Sequence, residues 1–184
     1  MNKKYFSLKG YSLPLTPEGR SSLVEPPPWH YGGEMLQVIF KTGDDFIKYL
    51  PPPFEISSNP GLAFVWFTEI VSVSDSNIDQ TSTNPERTQY KECLIGVHCK
   101  INGVESFFVP YVWVDNDFTL MRGFIQGFPK KLGRIYLTKF HNLLPKVGGK
   151  KPGAGITGIC ESHGELIVSG SLKLKRPSTI EEPS

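Results

Sequence analysis

The chain has 184 residues, enough for one domain with a sizeable core. Its 20 Lys and Arg nearly balance 18 Asp and Glu, and a net charge of +2 excludes the strongly basic surface typical of nucleic-acid binding. No apolar run reaches the roughly 18 residues of a membrane-spanning helix, and Lys3-Lys4 is not followed by the apolar run of a secretory signal.

With 18 Gly, 16 Pro and 12% aromatic residues, the composition predicts short strands joined by turns, not a helical bundle. Residues 1–28 read as an arm closed by Pro26-Pro27-Pro28. Met35 to Lys41 reads as a strand. Asp44 to Leu50 reads as a short helix, with Phe46, Ile47 and Leu50 at helical spacing and Pro51-Pro52-Pro53 as its stop. Gly61 to Val73, rich in β-branched and aromatic residues, reads as a buried strand. Ser74 to Arg87 is polar and is expected to be a long loop, a lid or locally disordered.

Glu92 to Ile101 and Val104 to Val114 form a predicted hairpin around Asn102-Gly103, a dipeptide that accepts two positive φ angles. Asp117 to Gln126 reads as a helix or a bent strand, the favoured reading being a short helix carrying Leu120, Met121 and Phe124 inward. Arg134 to Phe140, Gly155 to Ser162 and Glu165 to Leu174 are further strands, the last two joined at His163-Gly164. Lys175 to Ser184 reads as a polar, flexible tail. The expectation is a single domain over 1–184, β-rich (α+β), built as a closed barrel with one or two short helices.

Cys93, Cys99 and Cys160 are an odd number without metal-ligand spacing. Cys93 and Cys99 lie too far apart along one strand to bridge each other, so free buried thiols in a reducing cytoplasm are expected. His30, His98, His141 and His163 share no metal spacing. The glycine- and lysine-containing stretch from Lys146 to Gly155 lacks the Gly-Lys-Ser/Thr ending of a phosphate loop and reads as solvated.

The chemistry centres on Gly127-Phe128-Pro129-Lys130-Lys131-Leu132-Gly133, set between apolar stretches. An ordinary lysine, with a pKa near 10.4, is almost wholly protonated at neutral pH. Burial disfavours the ammonium, and a second cation pushes the same way, so the neutral nucleophilic amine becomes available. Lys130 is therefore the candidate nucleophile, set against the plainer reading of a turn-capping surface lysine. Lys131 is the candidate second cation. Adjacent strand side chains point to opposite faces, so it is also expected to face away and pair with a carboxylate. Glu92 shares a strand face with Tyr90 and Leu94, and an inward carboxylate there can shuttle protons; a solvent-facing glutamate is the alternative. Gln126 is a neutral group able to orient a carbonyl or carboxylate, or a plain helix-surface glutamine. Phe128, Trp66 and His30 complete the candidate substrate contacts, His30 at a pocket mouth between Trp29 and Tyr31.

The Phe128-to-Gly133 run resembles the signature of the acetoacetate decarboxylase superfamily. Pro26 to Glu34, Leu50 to Glu55 and Gln89 to Cys93 resemble further family segments in the same order, covering about residues 26–175. The resemblance implies that Lys130 condenses with a ketone to form an imine, with no metal or organic cofactor, in a homo-oligomeric cytoplasmic enzyme without nucleic-acid or membrane partners. It also implies an acetoacetate decarboxylase-like barrel, and family members continue beyond the point matching Leu174 with further strands. Three departures stand out. Gly33 occupies the position of a family arginine, Val65 or Trp66 that of a family glutamate, and Gly123-Phe124 that of an arginine-glutamate pair. Gln126, four residues before Lys130, resembles a divergent branch whose Schiff-base enzymes condense pyruvate in aldol-dehydration chemistry. The expectation is thus a Schiff-base carbon-carbon lyase for a small keto acid, aldolase-dehydratase chemistry being favoured over strict acetoacetate decarboxylation. A true β-keto acid decarboxylase, a non-catalytic ligand-binding barrel and a subunit completed by a partner chain are the alternatives.

Overall fold

The computed structural model describes residues 7–177; residues 1–6 of the arm and 178–184 of the expected tail lie outside the described residues. Two sheets carry the fold. The larger has six strands: β1 (Trp29–Lys41), β2 (Glu55–Ile56), β3 (Leu62–Ser74), β4 (Gln89–Ile101), β5 (Val104–Val114) and β6 (Lys130–Leu132). They run in the order β1-β3-β4-β5-β6, with β2 added beside β4. Pairing is antiparallel except between β5 and the three-residue β6, which is parallel. The smaller sheet is the meander β7 (Arg134–Leu137), β8 (Gly155–Ser162) and β9 (Glu165–Lys173).

Both expected hairpin turns are present. Asn102 and Gly103 have φ of 52° and 77°, and His163 and Gly164 have 53° and 83°, the left-handed pairs that such two-residue turns require. The expected closed barrel is not formed among the described residues, because neither sheet closes on itself. The chain runs from β6 through Gly133 straight into β7 of the other sheet, which leaves β1 and β6 as opposite edges.

Other expectations shift locally. The first strand begins at Trp29, six residues earlier than Met35, because the Trp29-to-Glu34 segment pairs with Glu69 to Ser74. Asp44–Tyr49 forms a 3₁₀ helix that buries Phe46, while Ile47 is exposed. The expected loop after residue 74 holds short helical turns, including α1 (Gln80–Thr83). Arg87 in that stretch donates to the carbonyls of Ser22 and Leu23 and so ties the arm to the body.

The two sheets pack face to face through Leu36, Val65, Phe67, Cys93 and Trp113 from the larger and Ile135 and Cys160 from the smaller. Gly158 on β8 permits this contact, since a Cβ there would come within 2.2 Å of the Phe67 ring. All three cysteines are free and buried. The hydrogen bond with Cys160 and then burial push the Cys93 thiol up, which keeps it protonated. The opposite face of the larger sheet packs on the helix α2 (Asp117–Gln126) through Tyr90, Leu94, Val112, Val114 and Phe118.

Candidate active site

The helix α2 starts where Asn116 accepts a hydrogen bond from the Phe118 amide at 3.1 Å, and it ends at Gly127 in the left-handed conformation (φ 83°). The chain then doubles back. The Phe128 amide bonds the Gly123 carbonyl at 2.8 Å, and Lys130 enters β6 beside Val112. This return lays the Lys130 side chain across α2. Gly123 is the slot: an added Cβ would meet Lys130 Cδ at 2.4 Å and Cγ at 2.6 Å.

Lys130 is 7% exposed. Its Nζ lies 2.7 Å from Glu92 Oε2 and donates to Thr119 Oγ1 at 3.0 Å. Burial holds the Lys130 pKa below its ordinary value; the Glu92 carboxylate opposes that shift and the Arg122 guanidinium reinforces it. Arg122 is itself buried. Its Nη1 donates to Ser72 Oγ at 2.9 Å, its Nη2 has no hydrogen-bond partner among the described residues, and the rings of Trp29, Tyr31, Tyr90 and Phe118 surround it at 4.9 to 5.8 Å. Burial, followed by the Glu92 charge, pushes the Tyr90 phenol up to about 12, so Tyr90 is a neutral hydroxyl at physiological pH.

Lys130, Glu92, Arg122, Tyr90 and Tyr31 border a cavity of about 520 Å³. Its wall has two parts: the polar Glu92, Lys130, Arg122 and Gln126, and an apolar lining that includes Phe64, Trp66, Phe107 and Phe128. Five of the expected site residues, Lys130, Glu92, Gln126, Phe128 and Trp66, thus meet in one space.

Two do not. Lys131 is exposed and faces away, as one of its two expected placements has it, but it forms no ion pair among the described residues, which corrects its expected carboxylate partner. The pleat of β6 turns it away from Lys130. The cation that acts on Lys130 is Arg122. His30 is exposed, lies 2.6 Å from Asp75 Oδ1 and does not line the cavity, whereas its neighbour Tyr31 does. The helix also turns differently from the expectation. Phe118, Thr119, Arg122 and Gly123 are its buried face, while Phe124 is 58% exposed. Thr119 and Arg122 were missed as site residues. Their spacing with Gln126, at three and then four residues, is the helical period that could have found them. Among the described residues no group of three or more His, Cys, Asp or Glu is arranged to hold a metal ion, and no helix is long and apolar enough to cross a membrane.

The structure thus sets a buried lysine beside a carboxylate at a largely apolar cavity, and the comparisons with known proteins place the chain in a family. The profile of the family described as acetoacetate decarboxylase (ADC) matches residues 12–184. The enduracididine biosynthesis enzyme MppR, solved in complex with pyruvate, is 33% identical with a TM-score of 0.86 over 96% of this chain and 68% of its own. MppR has also been solved with the condensation product of pyruvate and imidazole 4-carboxaldehyde. An acetoacetate decarboxylase-like enzyme from Sphingomonas wittichii RW1 is 30% identical with a TM-score of 0.85, over 92% of this chain and 66% of its own. A structure of acetoacetate decarboxylase shares the fold at 16% identity and a TM-score of 0.65, covering 89% of this chain and 56% of that one. No curated protein matches the sequence. The chain belongs to the acetoacetate decarboxylase family, a family of enzymes, and spans about two thirds of the length of MppR.

Proposed function

We propose that this protein is a Schiff-base carbon-carbon lyase that joins a small 2-keto acid to an aldehyde and dehydrates the product, without a metal or organic cofactor. The observation that carries this reading is the buried Lys130–Glu92 pair opening on the cavity: a lysine shifted toward the neutral amine, 2.7 Å from a group able to take and return its protons.

In the first step Nζ attacks the keto carbon, and the carbinolamine loses water to give a protonated imine. The substrate carboxylate lies toward Arg122 and Gln126. Arg122 supplies the positive charge that the Gly33 position lacks, and Gln126 supplies a neutral donor. Glu92 then removes a proton from the carbon next to the imine. The resulting enamine forms a new bond to the aldehyde carbon, the aldehyde oxygen takes up a proton, and loss of water yields a conjugated product still bound as the imine. Hydrolysis releases it and restores Lys130. A carboxylate that stays on the substrate throughout suits a cavity with a fixed guanidinium. MppR, bound to pyruvate and to a pyruvate-aldehyde condensation product, supports the same choice over decarboxylation. The apolar lining of Phe64, Trp66 and Phe107 suits the body of the aldehyde.

The remaining parts of this reading are one domain over the whole chain, a cytoplasmic location, closure of the larger sheet into a barrel and self-association. Exposed Met35, Ile39 and Phe107 are the surface such closure or association would cover, and mass measurement in solution tests the association. The decisive chemical test is borohydride reduction with pyruvate or acetoacetate, followed by peptide mass analysis and assays for carbon dioxide and conjugated product. We expect added mass at Lys130 with pyruvate and a conjugated product with an aldehyde. Robust carbon dioxide release from acetoacetate with no condensation product would restore the decarboxylase assignment. No label at Lys130 with any keto acid would overturn the lyase reading.

A further inference from the structure

We propose that Thr119 is the positioning residue that aims the lone pair of Lys130 into the cavity. The inference rests on the imine chemistry above but concerns a different property, the direction of the nucleophile.

A neutral amine nitrogen has four tetrahedral positions. In Lys130 one is the bond to Cε, whose stem is fixed by the Gly123 slot. A second points to Glu92 Oε2 at 2.7 Å, and a third to Thr119 Oγ1 at 3.0 Å. With two N–H groups engaged in those directions, the lone pair takes the fourth, and the free side of Lys130 is the cavity wall. With Glu92 alone one N–H is fixed and the lone pair has two positions left, one facing the cavity and one facing the Thr119 side. Thr119 removes that freedom. It is fully buried, on the α2 face that also carries Gly123, so it cannot swing away to water. Once the imine forms, nitrogen keeps a single N–H. Thr119 can accept that hydrogen bond, which frees Glu92 to work on the substrate carbons. The two acceptors therefore divide the labour: the hydroxyl holds the nitrogen, and the carboxylate moves the protons.

The alternative is that Thr119 is simply a satisfied buried hydroxyl. Two readouts at Lys130 separate the ideas in the intact protein. One is the rate of borohydride trapping with pyruvate. The other is competitive arylation by dinitrofluorobenzene across pH, read by peptide mass analysis, which needs no substrate. Charged and titratable groups facing Lys130 are Glu92 and Tyr90 from β4 and Arg122 from α2, with Tyr31 of β1 behind Tyr90. All are retained in each variant.

Thr119→Val keeps the shape and removes the acceptor. We expect its plateau reactivity and trapping rate to fall about tenfold, while the pH midpoint moves downward, because the ammonium has lost a hydrogen bond that favoured it. A slower amine that is also less protonated is a combination that loosened packing does not produce. Thr119→Ser should recover both readouts to within about twofold. Thr119→Ala replaces the valine variant if that protein fails to fold by near-ultraviolet circular dichroism. Wild-type plateau reactivity in the variant lacking the hydroxyl, or a serine variant as slow as the valine one, overturns the proposal. If pyruvate labels no form while arylation follows the expected pattern, the lyase reading fails and the positioning role stands.

Discussion

The two faces of the six-stranded sheet are built from the same strands and do opposite work. On β4, Cys93 points into the core between the sheets while Glu92 borders the cavity; on β3, Val65 and Phe67 pack inward while Trp66 and Thr68 face the cavity. The packed face is apolar where the smaller sheet closes it, through Leu36, Val65, Phe67, Cys93 and Trp113. The cavity face mixes aromatic rings with an anion, a lysine and a guanidinium, and α2 covers only part of it. The lesson is the two-residue period of a strand: one step along the chain separates a residue that holds the fold from one that can act on a ligand. Stability and chemistry should therefore fail separately when either face is altered.

The largest effect is expected from Lys130→Met on the cavity face. The variant keeps an unbranched apolar stem in the Gly123 slot and loses the amine, so borohydride trapping with pyruvate should disappear while the thermal midpoint is retained. Trapping that persists elsewhere in the folded variant would move the nucleophile. On the packed face, Phe67→Ala should cost about 3–5 kcal/mol, lowering the thermal midpoint on the order of 10 °C. Phe67 is fully buried between the sheets, so this is a loss of packing. Below its melting range this variant should retain the wild-type pH midpoint for imine formation; a displaced midpoint would show that the two faces are coupled.

Glu92→Gln should lower turnover about a hundredfold while some imine still forms, because the carboxylate is the proton carrier and not the nucleophile. The sign of its pH effect follows from the ion pair. Imine formation needs the neutral amine, so the rate rises with pH through the depressed Lys130 pKa and levels off below the ordinary 10.5. Glu92 supports the ammonium, so neutralising it depresses that pKa further and moves the rising limb to lower pH. An alkaline displacement, measured by trapping across pH, would contradict the pairing.

Much of the fold was legible because its signals are local. Asn102-Gly103 and His163-Gly164 mark turns by backbone chemistry, and the bounds of Val104–Val114 and Asp117–Gln126 follow from runs that end at turn residues or glycine. Lys130, Glu92 and Gln126 were legible through residue type and family motif. The register of β1 against β3 was not, since Trp29 to Glu34 carries two glycines and becomes a strand only by pairing with the Glu69-to-Ser74 segment. Arg122 escaped for a related reason. A charged residue in an amphipathic helix is ordinarily placed outward; here four rings from three separate elements and the Ser72 hydroxyl make its burial tolerable. Of the expected inward set, Leu120 does pack partly buried on the core while Phe124 is exposed, because the buried face of α2 also accommodates the Lys130 stem at Gly123.

Lys131→Gln is expected to have the smallest effect, and it is the most direct check on the comparison. Lys130 and Lys131 are adjacent and chemically identical, one and two residues past Pro129, so residue type alone does not tell them apart and only strand alternation turns one of them away. The pleat of β6 separates them: one side chain lies in the Gly123 slot, and the other faces solvent. At an exposed position the charge of Lys131 is screened by water and salt, while Arg122 acts on Lys130 from within the low-dielectric interior. Removing the Lys131 charge should leave trapping within about twofold of wild type and move its pH midpoint by well under one unit. Arg122→Gln, by contrast, should move the midpoint upward, because the buried cation that disfavours a second positive charge is gone. If Lys131→Gln abolished trapping with the fold intact, the roles of the two lysines would be reversed.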